Sequence, residues 1–341
     1  MKSIAFLALL PALALTACQL ETSKPNVATD APAAASAPEV AALGVTPIGV
    51  SPIGPALPPR EWKLPPIHLR CAATAPFTSV APVAGIGSGD VSSVALTTNE
   101  LELYATVPIP SSSLSSLVRM VRASRLDPFV VADEPNVVSK TGFYSGVGLS
   151  RDGLSLYVSV PVPNAVLHAP AGMELQVAHR ASTADRFGAL SSAGLDAAFP
   201  WHITQMTPSP AGDSLFASVS VAGVWRIQEI PLAAPVFDLS GAHEVFDPTP
   251  VASGIVPTEG GQYAYVGQQS WVDGGALLFS VALAAKPAGA PMYGVPAVIG
   301  APVNTGGNGG VPQWLSSDEC SLYYIAVSPG GSFLQLNVAR K

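Results

Sequence analysis

Charge is what this chain of 341 residues has least of: Asp, Glu, Lys and Arg together make 11% of it, about half the usual share. Sixteen Lys and Arg against 23 Asp and Glu leave a net charge of −7. No basic block interrupts the acidic balance, which argues against nucleic acid as a partner. Cysteine is scarce as well, with only Cys18, Cys71 and Cys320. Long apolar runs are limited to Ile4 to Leu15, too short for a mature bilayer span, so no transmembrane segment is expected. Thirty-four prolines and 31 glycines interrupt the chain too often for long helices. Recognisable catalytic signatures are missing too. The nearest approach to a Gly-x-Ser-x-Gly elbow, Gly142 to Gly146 around Ser145, has the wrong spacing. GIGSGD at 85–90 and TGGNGG at 305–310 match neither the P-loop nor the dinucleotide fingerprint and read as loops. His68, His168, His179, His202 and His243 are scattered without pairing spacing. No catalytic residue, metal or cofactor is expected from these patterns.

Hydrophobic residues still make 48% of the chain, which excludes disorder throughout and leaves a loop-rich β protein. The first 20 residues are MKSIAFLALLPALALTACQL. One early positive charge, a short apolar run and small residues before a cysteine fit a secretory signal. Leu15-Thr16-Ala17-Cys18 resembles the bacterial lipobox. That resemblance implies loss of residues 1–17 as a lipoprotein signal peptide. Cys18 would become the lipidated first residue, carrying palmitate-type chains; the plain alternative is a secretory signal with an incidental cysteine. Acyl chains bury CH₂ groups at about 0.8 kcal/mol each, so membrane contact would run through the lipid anchor only. Removing Lys2 shifts the net charge from −7 to −8. Gln19, where an Asp would favour the inner membrane, points to the outer membrane of a bacterial cell envelope.

Residues 18–60 form a Pro/Ala-rich stretch without aromatics, containing the echo VTPIG and VSPIG. Proline favours extended, poorly hydrogen-bonded backbone, so the stretch reads as a tether. Fully extended it would reach on the order of 100 Å. The alternative is that residues 43–58, which are fairly apolar, strap onto the folded domain at 61–341.

Within that domain one pattern recurs. LTTNELELYATV (96–107), LSRDGLSLYVSV (149–160), PSPAGDSLFASV (208–219), PTEGGQYAYVGQ (257–268) and LSSDECSLYYIA (315–326) align on Tyr104, Tyr157, Phe216, Tyr265 and Tyr323. These aromatics are 53, 59, 49 and 58 residues apart. Phe77, Phe129, Phe187, Phe237 and Tyr293 precede them by 27, 28, 29, 28 and 30 residues. RASRLDPF at 122–129 and RASTADRF at 180–187 share Arg, Ala, Ser, Asp and Phe at the same offsets, and RCAATAPF at 70–77 keeps the Arg and Phe. Turns with Asp-Gly or similar residues suit tight hairpins. The run after Asp152-Gly153 places Leu154, Leu156 and Val158 on one strand face. Further strands are expected at 173–180, 223–230, 276–283 and 333–340. Units of this length cannot bury both sheet faces alone, and strand repeats of this period point to blades stacked around an axis.

Ser-x-Asp-Gly-x-x-Leu-Tyr with its Arg/Phe mark upstream resembles the WD-like repeats of TolB-type β-propellers over residues 70–341. The final unit, WLSSDECSLYYIAV with LNVARK, is similar to endings of secreted or lipid-anchored bacterial propellers. The pattern differs from the sialidase Asp-box, which separates Asp and Gly by one residue. An all-β propeller of five blades is therefore expected, or six if residues 43–70 build another. Cys71 starts the first unit and Cys320 sits in the last hairpin turn. In an oxidising compartment the two are expected to form a disulfide clasping the ring, the alternative being two separate thiols. Asn99, Asp152, Asp213, Glu259 and Asp318 all fall in the hairpin turns. They would form a rim ring able to hold a cation or a basic partner, or else simply supply the turn chemistry. Trp201, Trp225, Trp271 and Trp314 would stack on sugars or fill blade cores.

TolB-like propellers bind partners without chemistry. The resemblance thus implies a monomeric, lipid-anchored envelope binding or scaffold protein, docking a protein or glycan on a propeller face. The competing expectation is an envelope hydrolase or lyase with its site in the axial channel, which would need several titratable groups to converge. A third is a surface filler or adhesin-like protein without a small ligand.

Overall fold

A computed structural model describes residues 70–341 apart from 88, 90, 109–114, 133–143, 145, 162–172, 196–201, 222–223, 234–235, 238, 247–251, 272–276, 306–308 and 328–333. The signal, Cys18, the tether, the strap at 43–58, His68, His168 and Trp201 lie outside the described residues. None of the described helices is long and apolar enough to cross a membrane.

Five antiparallel sheets make five blades. Blade one runs β2 (Ser93–Leu96), β3 (Glu102–Pro108), β4 (Ser115–Val121), β5 (Val130–Ala132) from inside to outside. Blade two follows as β6 (Gly146–Leu149), β7 (Ser155–Pro161), β8 (Met173–His179), β9 (Ser191–Leu195). Blade three has β10 (His202–Pro208), β11 (Ser214–Val221) and β12 (Val224–Ala233). Its outer edge is shared by β13 (Val236–Phe237) and β14 (His243–Glu244), both paired with β12. Blade four is β15 (Ala252–Pro257), β16 (Tyr263–Trp271), β17 (Leu277–Ala285), β18 (Ala297–Val298). Blade five takes β19 (Gly310–Leu315), β20 (Ser321–Val327) and β21 (Leu334–Arg340) from the end of the chain and its outer strand, β1 (Ser79–Pro82), from the beginning.

The ring closes through that fifth blade. Strand β1 pairs with β21, Ser79 opposite Arg340 and Pro82 opposite Asn337. A disulfide joins Cys71 to Cys320 across a sequence separation of 249. Inner strand β19 touches β2, so five sheets complete the circle and leave no gap for a sixth. The blades are therefore shifted by one strand from the sequence units: the outer strand at the start of each unit belongs to the preceding blade.

The core is five wedges between neighbouring blades rather than one centre. This explains why the middle strands are apolar on both faces. In β7, Leu156 and Val158 pack toward blade one while Tyr157 packs toward blade three. Leu154 falls before the strand, in the turn, and is only half-buried. The two aromatic marks meet across the wedges. Tyr104 meets Phe187 edge-on at 5.5 Å, Tyr157 meets Phe237 at 5.4 Å, and Tyr265 meets Phe77 at 5.7 Å. Phe216 shares a wedge with Tyr293, and Tyr323 with Phe129. An aromatic thus pairs with the mark of the next blade, not with the mark preceding it in its own unit.

Candidate functional site

The ring has two ends, and the strand directions fix what each carries. At one end every inner strand turns into its neighbour through a five-residue turn. At the other lie the connections into the inner strands and the hairpins between the second and third strands.

At the turn end, five aligned turns share one construction. Thr97, Ser150, Ser209, Thr258 and Ser316 each offer a backbone carbonyl to the N–H three residues on. Their hydroxyls also take a backbone N–H at the start of the next strand, from Glu102, Ser155, Ser214, Tyr263 and Ser321. The residue three places after each hydroxyl is left-handed: Glu100 (φ 64°), Gly153 (73°), Gly212 (74°), Gly261 (66°) and Glu319 (59°). Glycine fits such a position without strain, so the two glutamates stand out.

The five turn residues anticipated as a rim ring do not occupy equivalent places. Asn99, Asp152 and Asp318 accept the hydroxyl proton of their own turn, at 2.7, 2.6 and 2.5 Å. Each also accepts a backbone N–H two residues on, from Leu101, Leu154 and Cys320. Asp213 takes the Ser209 hydroxyl from further along, at 2.8 Å. Each of these four uses its Oδ1 in turn chemistry. Glu259 sits one place earlier, in the column of Arg151, and forms an ion pair with it. Among the described residues no group of three or more His, Cys, Asp and Glu is arranged to hold a metal ion.

Arg151 and Glu259 belong to blades two and four, which are not neighbours, and their pair lies across a small concavity of about 70 Å³. Glu319 accepts the Glu259 backbone N–H at 2.7 Å. Thr98 donates its hydroxyl to the Arg151 carbonyl at 2.5 Å. Burial pushes the Glu319 carboxyl above the usual carboxylate range, against the pull of Lys341, Arg70 and Arg151. Burial, aided by Arg70, weakens the hold of Arg151 on its proton.

Glu100 is 2% exposed. It accepts the Tyr323 hydroxyl at 2.7 Å and an ion pair from Arg125 at 3.2 Å. Arg122 donates to Tyr323 at 3.0 Å and to the Glu100 carbonyl at 2.7 Å. Burial is the largest influence on Glu100 and raises its pKa. Tyr323 is pushed up to about 12. The repeated cation is part of the same design. Arg122 and Arg180 stack on Phe129 and Phe187 at 4.4 and 4.5 Å, and Lys286 and Lys341 on Tyr293 and Phe77 at 5.5 and 5.4 Å. These groups join blades; they do not converge on a cleft.

The midsection of the axis is crossed by inner-strand contacts. Gln205 of blade three donates its amide to the Pro312 carbonyl of blade five. The Val94 N–H donates to the Gln313 amide oxygen at 3.0 Å, and the Val147 N–H to the Ser93 hydroxyl at 3.2 Å. Above this floor, at the loop end, a funnel of about 400 Å³ opens over blades three, four and five. Trp225, Phe279, Ile325 and Leu334 line it, with the amides of Gln205 and Gln269. None of its described lining residues is charged. Gly309 and Gly310 of the TGGNGG stretch set its wall: a Cβ on Gly309 would lie 1.9 Å from the Phe279 carbonyl oxygen, and one on Gly310 2.3 Å from that of Ile325.

The remaining aromatic and histidine candidates separate. Trp314 packs edge-on against Tyr323 at 5.6 Å, while Trp225 lines the funnel. Trp271 ends β16, and its side chain lies outside the described residues. His179 bonds Ser155 at 3.0 Å and His243 approaches the Gly241 carbonyl at 3.2 Å, both exposed. His202 is the first residue of β10.

No protein-family model matches this chain. No curated protein matches it either. The chain is a five-bladed β-propeller with TolB-type propellers among its structural neighbours. It is similar to TolB from Acinetobacter baumannii at 11% identity, with a TM-score of 0.42, over 73% of this chain and 54% of that one. It thus spans about half the length of that TolB. A thermostable family-43 glycoside hydrolase is similar at 15% identity and a TM-score of 0.48, over 77% and 92% of the two chains. The α-L-arabinofuranosidase PaAbf62A from Podospora anserina is similar at 12% identity and a TM-score of 0.46, over 76% and 95%. Likeness at this level concerns the fold alone, and the neighbours include named enzymes as well as TolB.

Buried acids and the Arg151 pair escaped the reading of the sequence. A signal was present for Glu100 and Glu319. They stand in the column of the turn pattern where the other three units carry glycine, and a glutamate there calls for an explanation.

Proposed function

We propose that this protein is a lipid-anchored binding protein of the bacterial cell envelope that docks a protein or glycan partner at the funnel end of its propeller. The observation that carries the reading is the contrast between the two ends. The described lining of the larger concavity carries no charged residue, whereas Arg151, Glu259 and Glu319 at the other end bond to one another. Acid–base chemistry needs titratable groups converging on a place where substrate can sit. Binding needs a concave, largely apolar surface with a few polar groups. Cys18 supplies the anchor in this reading, residues 18–60 supply reach from the membrane, and one copy suffices.

The test is capture from envelope extract with the full chain as bait, alongside Trp225→Ala at the funnel and Arg151→Ala at the turn end. A partner kept by wild type and Arg151→Ala but lost by Trp225→Ala supports the reading. A partner lost only with Arg151→Ala, or none at all, overturns it. Turnover of glycan or ester substrates by the purified chain would favour the hydrolase instead.

A further inference from the structure

Trp225, Phe279 and Leu334 occupy one repeat position, seven residues before Leu232, Lys286 and Lys341, in three successive blades. Each of those later residues donates its backbone N–H to the preceding turn, to Asp213, Gln262 and Cys320, which confirms the register. The wall of the funnel is therefore a graded apolar arc: indole, phenyl, isobutyl. Blade one carries Ser115 and blade two Met173 at this position; among the described residues, Trp225, Phe279 and Leu334 are the ones that line the funnel.

Polar groups of one kind accompany the arc. They are the neutral amides of Gln205, Gln269 and Gln313 and the hydroxyls of Ser92 and Ser253. Gln313 is engaged at both ends, with the Val94 N–H and the Val311 carbonyl. Gln205 is 3% exposed, and its amide oxygen has no hydrogen-bond partner among the described residues. A buried acceptor left unmet is unfavourable, but this oxygen is enclosed and lies close to Gly254, so the donors of an occupant would meet the other amides and hydroxyls of the lining. Among the described lining residues an ion would lose hydration without meeting an opposite charge. The described lining fits an occupant that is neutral, exchanges hydrogen bonds with amides and hydroxyls, and offers an apolar face to aromatic rings.

We propose that the funnel over blades three, four and five binds an uncharged carbohydrate. A sugar ring presents a face of C–H groups that stacks on an aromatic plane, with hydroxyl donors at its rim. A peptide strand fits less well, because it is read through a free sheet edge. Here the inward edge of each wall strand is already paired: Trp225 opposite Ser220, Phe279 opposite Gln269, Leu334 opposite Val327. The volume, about 400 Å³, lies low in the range of small-molecule sites and suits the end of a short glycan. This inference rests on the binding-protein reading and narrows its partner to one class.

The experiment titrates the full chain, held in a detergent without a sugar headgroup, with maltose, cellobiose and N,N′-diacetylchitobiose. Digalacturonate and the de-acetylated diamine of chitobiose serve as charged probes, and calorimetry and tryptophan fluorescence are the readouts. At least one neutral disaccharide binds saturably with Kd at or below about 1 mM, and the charged probes bind at least about tenfold more weakly. Trp225→Ala loses that binding while its thermal unfolding matches wild type, and Trp225→Phe, which keeps an aromatic plane, retains it. No saturation by any neutral disaccharide up to about 10 mM, equal binding of charged probes, or unaltered binding by Trp225→Ala overturns the proposal. If sugars fail while envelope capture still depends on Trp225, the carbohydrate falls and the binding protein stands. If both fail, so do both readings.

Discussion

Arg180 of blade two holds both carboxylate oxygens of Glu102 in blade one, at 2.9 and 3.3 Å, and its own side chain is fully buried. Its third nitrogen donates to the Gly153 carbonyl at 2.6 Å, and its guanidinium lies on Phe187 at 4.5 Å. Such a fork is geometry that lysine cannot reproduce. Glu102→Ala leaves a buried guanidinium without its counter-charge. The expected loss is about 3–5 kcal/mol of unfolding free energy, read from urea denaturation. A loss under about 1 kcal/mol would mean that the pair is open to solvent and not a tie between blades.

The clasp between the ends of the chain makes a second prediction. The disulfide closes a loop of 249 positions, for which chain entropy gives a stabilisation of up to about 5 kcal/mol. Replacing Cys71 and Cys320 by serine leaves β1 paired with β21, so the double variant still folds. Its urea midpoint should drop by an amount equivalent to about 2–5 kcal/mol. Reductant should lower the wild-type midpoint to the same value and leave the variant unmoved. An unchanged midpoint in reductant would show that strand pairing alone closes the ring.

The repeat pattern carried the blade count, because that rests on local periodicity that a sequence displays; the outer strand of each unit falls in the preceding blade, and ring closure was legible only through Cys71 and Cys320. The Tyr and Phe marks were visible as a beat; their partners were not, since Tyr104 meets Phe187 of the following blade and no spacing within one unit encodes that. The turn residues Asn99, Asp152 and Asp318 were legible as turn formers, and the Oδ1 of each is used in that way. The funnel was not legible. Trp225, Phe279 and Leu334 become neighbours only when the ring places three blades side by side; Trp225 stood out as one of four tryptophans able to stack on a sugar, while Phe279 and Leu334 read as ordinary strand residues.

The wall of that funnel depends on Gly309, which approaches the Phe279 backbone so closely that a Cβ has no room. Gly309→Ala must push blades four and five apart. The expected cost is about 1–3 kcal/mol, as for other overpacked sites, together with altered fluorescence of Trp225 if the funnel opens. A variant as stable as wild type would show that the blade contact is looser than 1.9 Å implies.

Glu100 supplies a pH dependence. Burial raises its pKa above the ordinary 4.5, outweighing Tyr323, Arg125 and Arg122. The folded protein then holds this proton more tightly than the unfolded chain. The stabilisation from protonated Glu100 is complete below about pH 4.5 and is lost as pH rises through the folded pKa. Glu100→Gln keeps an acceptor for Tyr323 and removes the titration. Relative to wild type it should gain stability from acid to neutral pH, measured by urea unfolding at several pH values. Parallel stability curves would show that Glu100 titrates normally.

Arg151 and Glu259 provide the sharpest check of the turn end, because they tie blades that are not adjacent. Their side chains are 30% and 17% exposed, so water screens them only in part, and a coupling above that of an exposed pair is expected. In a double-mutant cycle of Arg151→Ala and Glu259→Ala the coupling should exceed about 1 kcal/mol, where surface pairs give about 0.2–1. The single Arg151→Ala should be the worse of the two, since it leaves Glu259 beside Glu319 with one cation fewer. Added salt should weaken the coupling little, unlike that of an exposed pair. Exchanging the two residues, Arg151→Glu with Glu259→Arg, should recover part of the loss while placing a cation where Glu319 can meet it. A coupling near zero would mean that the two side chains do not meet in solution. The turn end would then hold free charges, and the contrast that favours the funnel as the binding end would disappear.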